Sequence, residues 1–103
     1  MLHPAFQSHL PQVIKLFKDY RVKNAFAFGS VISEKFNDKS DVDLLINFED
    51  DLEPLEKGEM WWSLHDKLRN IFNREIDLVI EGGLKNPYFI EELNEKKQLI
   101  YAA

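Results

Sequence analysis

Apolar residues recur along this chain at two spacings, and the switches between them predict its elements. From about Ser8 to Tyr20, Leu10, Val13, Ile14 and Phe17 fall on one face of a helix, with Pro11 acceptable only in the first turn. Asn24 to Phe28 reads as a short apolar strand ending at Gly29-Ser30, and Val31 to Phe36 as a short helix opened by that pair. The polar run Asn37-Asp38-Lys39-Ser40 turns the chain into a second strand, Asp41 to Phe48. Glu49 to Gly58 is acidic, contains Pro54, and reads as a mobile, solvated connector. Glu59 to Phe72 returns to helical spacing, with Trp61, Leu64, Leu68, Ile71 and Phe72 on one side. Glu75 to Ile80 is a third strand, stopped at Gly82-Gly83. Asn86-Pro87 has the form of an N-cap followed by a first-turn proline, which predicts a helix to about Lys96, and Gln98 to Tyr101 closes the chain as a short strand. The alternation predicts an α/β (α+β) domain: a small mixed β-sheet with helices packed mainly on one face. No internal repeat or low-complexity segment interrupts it, so residues 1–103 read as one domain.

Three aspartates break the apolar strands in a regular way. Asp41 and Asp43 are two apart in one strand, so both carboxylates leave the same face while Val42, Leu44, Ile46 and Phe48 leave the other. Their Cα atoms should lie about 6.6 Å apart at the rise of a strand. Asp77 repeats the arrangement between Ile76 and Leu78. If the two strands are neighbours, the three carboxylates converge, and oxygen donors of this kind suit hard divalent cations. An ordinary half-solvated strand also carries outward polar residues. Aspartate is depleted in strands, however, and two on one face repel unless a cation offsets them. An EF-hand loop does not account for the set, because Leu45 and the missing turn glycine break its pattern, and neither common glycine-rich nucleotide loop occurs.

Gly29-Ser30 follows a strand and precedes a helix, where glycine permits close backbone approach and helix-start N–H groups favour anions. Taken together, Phe28-Gly29-Ser30, the ten-residue gap, Ser40-Asp41-Val42-Asp43-Leu44-Leu45 and the distal Ile76-Asp77-Leu78-Val79 resemble the minimal nucleotidyltransferases of the DNA polymerase beta-like superfamily. The resemblance runs from about Asn24 to Ile80 and implies the nucleotidyltransferase fold. It implies that Asp41 and Asp43 hold two Mg²⁺ ions, that Asp77 binds the catalytic ion and helps deprotonate the acceptor hydroxyl, and that Gly29 and Ser30 hold the triphosphate. Many relatives carry arginines and a glycine just after the Gly-Ser pair. Here the stretch is Val31-Ile32-Ser33-Glu34-Lys35-Phe36, which leaves Lys35, with Lys39 beyond it, to meet the phosphate charge.

The implied reaction transfers a nucleoside monophosphate, AMP from ATP, to an acceptor hydroxyl and releases pyrophosphate. The resemblance also implies a role. Many minimal nucleotidyltransferases pair with a helical HEPN-type protein, in several cases as the antitoxin that adenylylates a toxin, and a tyrosine is the expected acceptor. Two other readings stand beside it: a non-enzymatic antitoxin or binding module acting by contact, and an aminoglycoside-type adenylyltransferase. The shortness of the chain argues against the last.

Composition narrows the setting. A net charge of −5 argues against broad electrostatic binding to nucleic acid. No apolar run approaches the ~20 residues of a membrane span, and Met1-Leu2-His3-Pro4 lacks the layout of a signal peptide. The absence of cysteine excludes disulfides and thiolate metal sites and is compatible with the cytoplasm, the expected location. A 103-residue chain buries only about 60–70% of its unfolded surface, so a homo-oligomer or a stable complex with the helical partner is expected. Trp62 lies off the stripe that contains Trp61 and is either an exposed interface residue or partly covered by the acidic loop. His3, His9 and His65 show no ligand spacing, and His65 reads as a packing or solvent-bonded residue.

Overall fold

The computed structural model describes residues 4–29, 37, 39–83 and 85–103. Its elements are α1 (Pro4–Gln7), α2 (Leu10–Asp19), β1 (Val22–Phe28), β2 (Val42–Phe48), α3 (Pro54–Phe72), β3 (Ile76–Ile80), α4 (Pro87–Lys96) and β4 (Gln98–Ala102), with a 3-10 turn at Glu81–Gly83. The four strands form one mixed sheet in the order β3-β2-β1-β4. β1 is antiparallel to β2 and β4, whereas β2 and β3 are parallel. A parallel pair needs a long crossover, and α3 supplies it.

Side-chain alternation divides the sheet into two unlike faces. On the first, Val42, Leu44 and Ile46 of β2 are fully buried with Val13 and Phe17 of α2 and Leu64 and Leu68 of α3. Burying each such side chain contributes about 1.5–3 kcal/mol, so this face is the main source of stability. The second face is sorted by rows. Register places Phe28, Asp43 and Asp77 side by side, then Phe26, Leu45 and Val79. Next come Asn24 and Asn47, where Asn47 Nδ2 donates to both Asn24 Oδ1 and Glu81 Oε1 at 2.9 Å. Leu45 and Leu93 of α4 are buried apart from the main core, and Lys97, just past α4, holds its ammonium 4.1 Å from the Phe26 ring centre. The sequence expectation of helices mainly on one face therefore holds, with the α4 end of the chain turned to the other.

Several boundaries differ from the sequence reading. The acidic connector is shorter than expected because α3 begins at Pro54, five residues before Glu59. Proline lacks the N–H that a first-turn residue would leave unbonded anyway, so it opens a helix as readily as it ends one. The connector is also tied down. Arg21 pairs with Glu49 at 2.9 Å and with Asp51 at 2.6 Å, Lys23 reaches Asp50 at 3.2 Å, and Leu52 is buried. These ion pairs hold the start of β1 against the end of β2 around Arg21, whose φ of 58° is left-handed and unusual for a residue with a side chain. The helix expected over Val31–Phe36 lies outside the described residues.

Candidate active site

The carboxylates sit where the parallel pair begins. Asp43 and Asp77 are register partners, so their Cα atoms are about 4.8 Å apart, the spacing of neighbouring strands. Asp41 immediately precedes β2 and is exposed, as is Asp77, whereas Asp43 is half-buried. The Asp43 carboxyl is pushed up from 3.8 to about 6, first by burial and then by the negative charges of Asp77 and Asp41. Asp43 on β2, Asp77 on β3 and Asp41 just before β2 thus act on one another through their charges. Among the described residues, however, no group of three aspartate, glutamate or histidine side chains closes around a point as a ready-made ion site. The expected convergence is therefore one of face and register, not of a common centre. The donors are all carboxylate oxygens, the type that hard divalent cations take, and a cation there would offset the charges of Asp77 and Asp41 that add to burial in pushing Asp43 up.

Gly29 belongs to the same site for a steric reason. Its φ is +70°, and a Cβ built on it would collide with the Asp43 carboxylate. The backbone at the end of β1 thus packs directly against the most perturbed of the three acids. Ser30 and Lys35, the other two residues expected at the phosphates, lie outside the described residues, so only Gly29 of that group is placed.

Long-range contacts that the sequence did not announce fix the approach to both strands. Arg74 Nη1 donates to the carbonyls of Asn37 and Ser40 at 2.9 Å each, tying the turn before β2 to the turn before β3. Val42 N–H donates to Glu75 O at 3.1 Å and starts the ladder at the same level. On the far side of β3, Trp61 and His65 of α3 reach the carbonyls of Leu78 and Ile76. Sequence reasoning assigned Trp61 to the core stripe and His65 to packing, which the structure bears out in part. Arg74 offered no local signal, because its partners are more than thirty residues away.

The raised Asp43 has a consequence for stability. Between pH 3.8 and about 6 the folded state holds a proton that the unfolded state has released, so stability falls as pH rises through that window. Above it the ionised carboxylate is a net cost, about 1 kcal/mol once the shift is discounted for the half-exposed side chain. In a chelator, Asp43→Asn should therefore unfold at a higher temperature than wild type near about pH 7.5, with the gain vanishing near about pH 4. Thermal unfolding followed by circular dichroism at both pH values checks this. A variant less stable than wild type at the higher pH would show that burial and the neighbouring charges do not disfavour the ionised Asp43.

Comparison with known proteins agrees with the geometry. The profile of the family described as "Polymerase beta, Nucleotidyltransferase" matches residues 11–103. A Methanocaldococcus jannaschii relative named "Putative protein adenylyltransferase MJ0128" is 35% identical over 88 residues, covering 84% of each chain. Among solved structures, one described as a toxin-antitoxin with AMP-PNP superposes with a TM-score of 0.71 at 20% identity, over 91% of this chain and 73% of that one. A tri-AMPylated Shewanella oneidensis HEPN toxin in complex with its MNT antitoxin gives 0.65 at 20% identity, over 94% and 72%. At such identities the structural likeness speaks for the fold alone. No described helix is long and apolar enough to cross a membrane. A profile match over nearly the whole chain, a relative at 35% identity and carboxylates in register on a parallel strand pair lead to one conclusion: this chain belongs to the polymerase beta-type nucleotidyltransferase family.

Proposed function

We propose that this chain transfers AMP from ATP to a hydroxyl, a tyrosine side chain, on a helical HEPN-type protein partner, and that it acts as that partner's antitoxin in the cytoplasm. The observation that carries the reading is the in-register pair Asp43–Asp77 with Asp41 beside it, on the sheet face opposite the main core. The name of the archaeal relative, protein adenylyltransferase, supports a protein acceptor. The AMP-PNP and tri-AMPylated HEPN complexes of structural neighbours support the nucleotide and the partner class.

Asp41, Asp43 and Asp77 would hold the divalent ions, two Mg²⁺, whose chemistry when bound is to neutralise charge on the phosphoryl and the attacking and leaving oxygens. The chain's own residues do the rest. Gly29 gives the triphosphate close access to backbone at the end of β1, with Ser30 and Lys35 as further phosphate contacts. Asp77, the most open of the paired acids, accepts the proton of the incoming hydroxyl as its oxygen bonds to the α-phosphorus. The bond from that phosphorus to the bridging oxygen breaks, and pyrophosphate leaves. A docked partner would supply both the hydroxyl and the wall that excludes water. Trp62, 65% exposed, and Leu55, 76% exposed and two helical turns earlier on α3, are apolar surface available for docking.

A contact-only antitoxin is the second reading, favoured by the sequence after Gly29-Ser30, Val31-Ile32-Ser33-Glu34-Lys35-Phe36, which carries no arginine. Intact-mass spectrometry of the partner after incubation with ATP and Mg²⁺ separates the two. A gain of one or more AMP units supports transfer. A partner that is neutralised at unchanged mass overturns it in favour of contact.

A further inference from the structure

β3 is an edge strand, and the acid it carries is held at one side only by the sheet. The backbone groups of Glu75, Asp77 and Val79 point toward β2, since Glu75 O accepts from Val42 N–H at 3.1 Å and direction alternates along a strand. The carbonyls of Ile76 and Leu78 therefore point outward, where no strand pairs with them among the described residues. Both are nevertheless bonded. Trp61 Nε1 donates to Leu78 O at 3.0 Å, and His65 Nε2 lies 2.9 Å from Ile76 O.

These two donors form one unit. Trp61 and His65 are four residues apart on α3, and their rings stack with centroids 5.1 Å apart and planes within 9°. A carbonyl can only accept, so the His65 proton must sit on Nε2. His65 Nδ1 is buried without a partner among the described residues. Lysine or arginine at either position would be long and mobile, and an aliphatic side chain would leave the carbonyls unbonded. Two flat, stacked donors instead reach alternate carbonyls of one strand edge, and the residue between those carbonyls is Asp77.

We infer that Trp61 and His65 are positioning residues that clamp the outer edge of β3 and thereby set the place of Asp77 opposite Asp43. The inference rests on the proposed role of Asp77, yet the clamp can be measured without it. With the carbonyls of Ile76 and Leu78, on either side of Asp77, pinned from α3, β3 resists sliding or peeling from β2 there, and the carboxylate pair keeps its register spacing. The same contacts occupy the edge that an added strand would use.

The test separates donors from rings. A Trp61→Phe/His65→Phe double variant keeps two rings and removes both N–H groups, whereas His65→Gln alone keeps a donor at that position and removes its ring. Amide hydrogen exchange by NMR, in chelator, should show Asp77 and Val79 of the double variant exchanging at least about tenfold faster, with β1 amides changed far less. His65→Gln should exchange close to wild type. Mn²⁺ titration followed by calorimetry should show the double variant binding about fivefold or more weakly, because the carboxylates no longer hold their spacing. Exchange in β3 that is unchanged, or that rises equally in every strand, overturns the clamp. Should wild type bind no Mn²⁺, the ion reading of the carboxylates fails, while the exchange result still decides the clamp.

Discussion

Asp77→Asn should reduce nucleotide transfer by about 10²–10⁴-fold while leaving partner binding near wild type, the range expected for loss of a positioned general base. The asymmetry follows from where Asp77 sits. Its side chain is exposed on the face away from the main core, flanked in β3 by Ile76 and Leu78, which are buried on the other side. The amide is close in shape to the carboxylate, so neither packing nor the β2–β3 ladder should change. Removing one negative charge also relieves Asp43, which Asp77 and Asp41 both push upward, so the variant should fold at least as well as wild type. The loss is then chemical: an amide cannot take the proton of the acceptor hydroxyl and is a weaker ligand for a hard cation. Co-purification with the partner, together with its intact mass after ATP and Mg²⁺, reads docking and transfer separately. A variant that still adds nucleotide at the wild-type rate would remove Asp77 from the chemistry and return the proton to solvent.

Gly29→Ala should be damaging in two ways at once. The left-handed φ of +70° costs a residue with a side chain about 1–2 kcal/mol, which should appear as a lower unfolding temperature. The added Cβ also needs the space that the Asp43 carboxylate fills, so the acid must move. Displacement on the order of 1 Å at a reacting centre costs about 100-fold in rate, and transfer should fall by at least that much. Gly58→Ala is the matched control. Gly58 lies within α3 with nothing among the described residues within 4 Å of a built Cβ, so that substitution should stabilise by about 0.5–1 kcal/mol, the opposite sign to Gly29→Ala. Comparing the two at a temperature where both are folded isolates the steric effect from the loss of stability. Wild-type transfer by Gly29→Ala would mean that the carboxylate has room to spare and that Gly29 serves only the turn.

That Asp43 and Asp77 leave the sheet on the face opposite Leu44 and Leu78 was legible because side-chain direction in a strand is a local property with a period of two. The same holds for the Asn86 cap of α4, whose side chain accepts from the Tyr88 and Phe89 amides, since a cap and its helix lie within four residues. Where the local signal was ambiguous the reading erred. Pro54 serves a loop or a first turn equally well, and only the packed helix resolves it. The exposure of Trp62 was likewise open until α3 was placed against the sheet. Long-range matters were decided by the fold alone. That Asp77 faces Asp43, and not Leu44 or Leu45, depends on the β2–β3 register, which the α3 crossover and the Val42–Glu75 bond establish. The high Asp43 carboxyl comes from its desolvation and from charges on two strands, neither of which a linear pattern carries. The Arg74 bonds to the turn before β2 and the Trp61–His65 hold on β3 join segments distant in the chain. Residue spacing determined which atoms this protein could present on one face. Register and burial, which arise only when distant segments pack, decided how close those atoms stand and how strongly they act on one another.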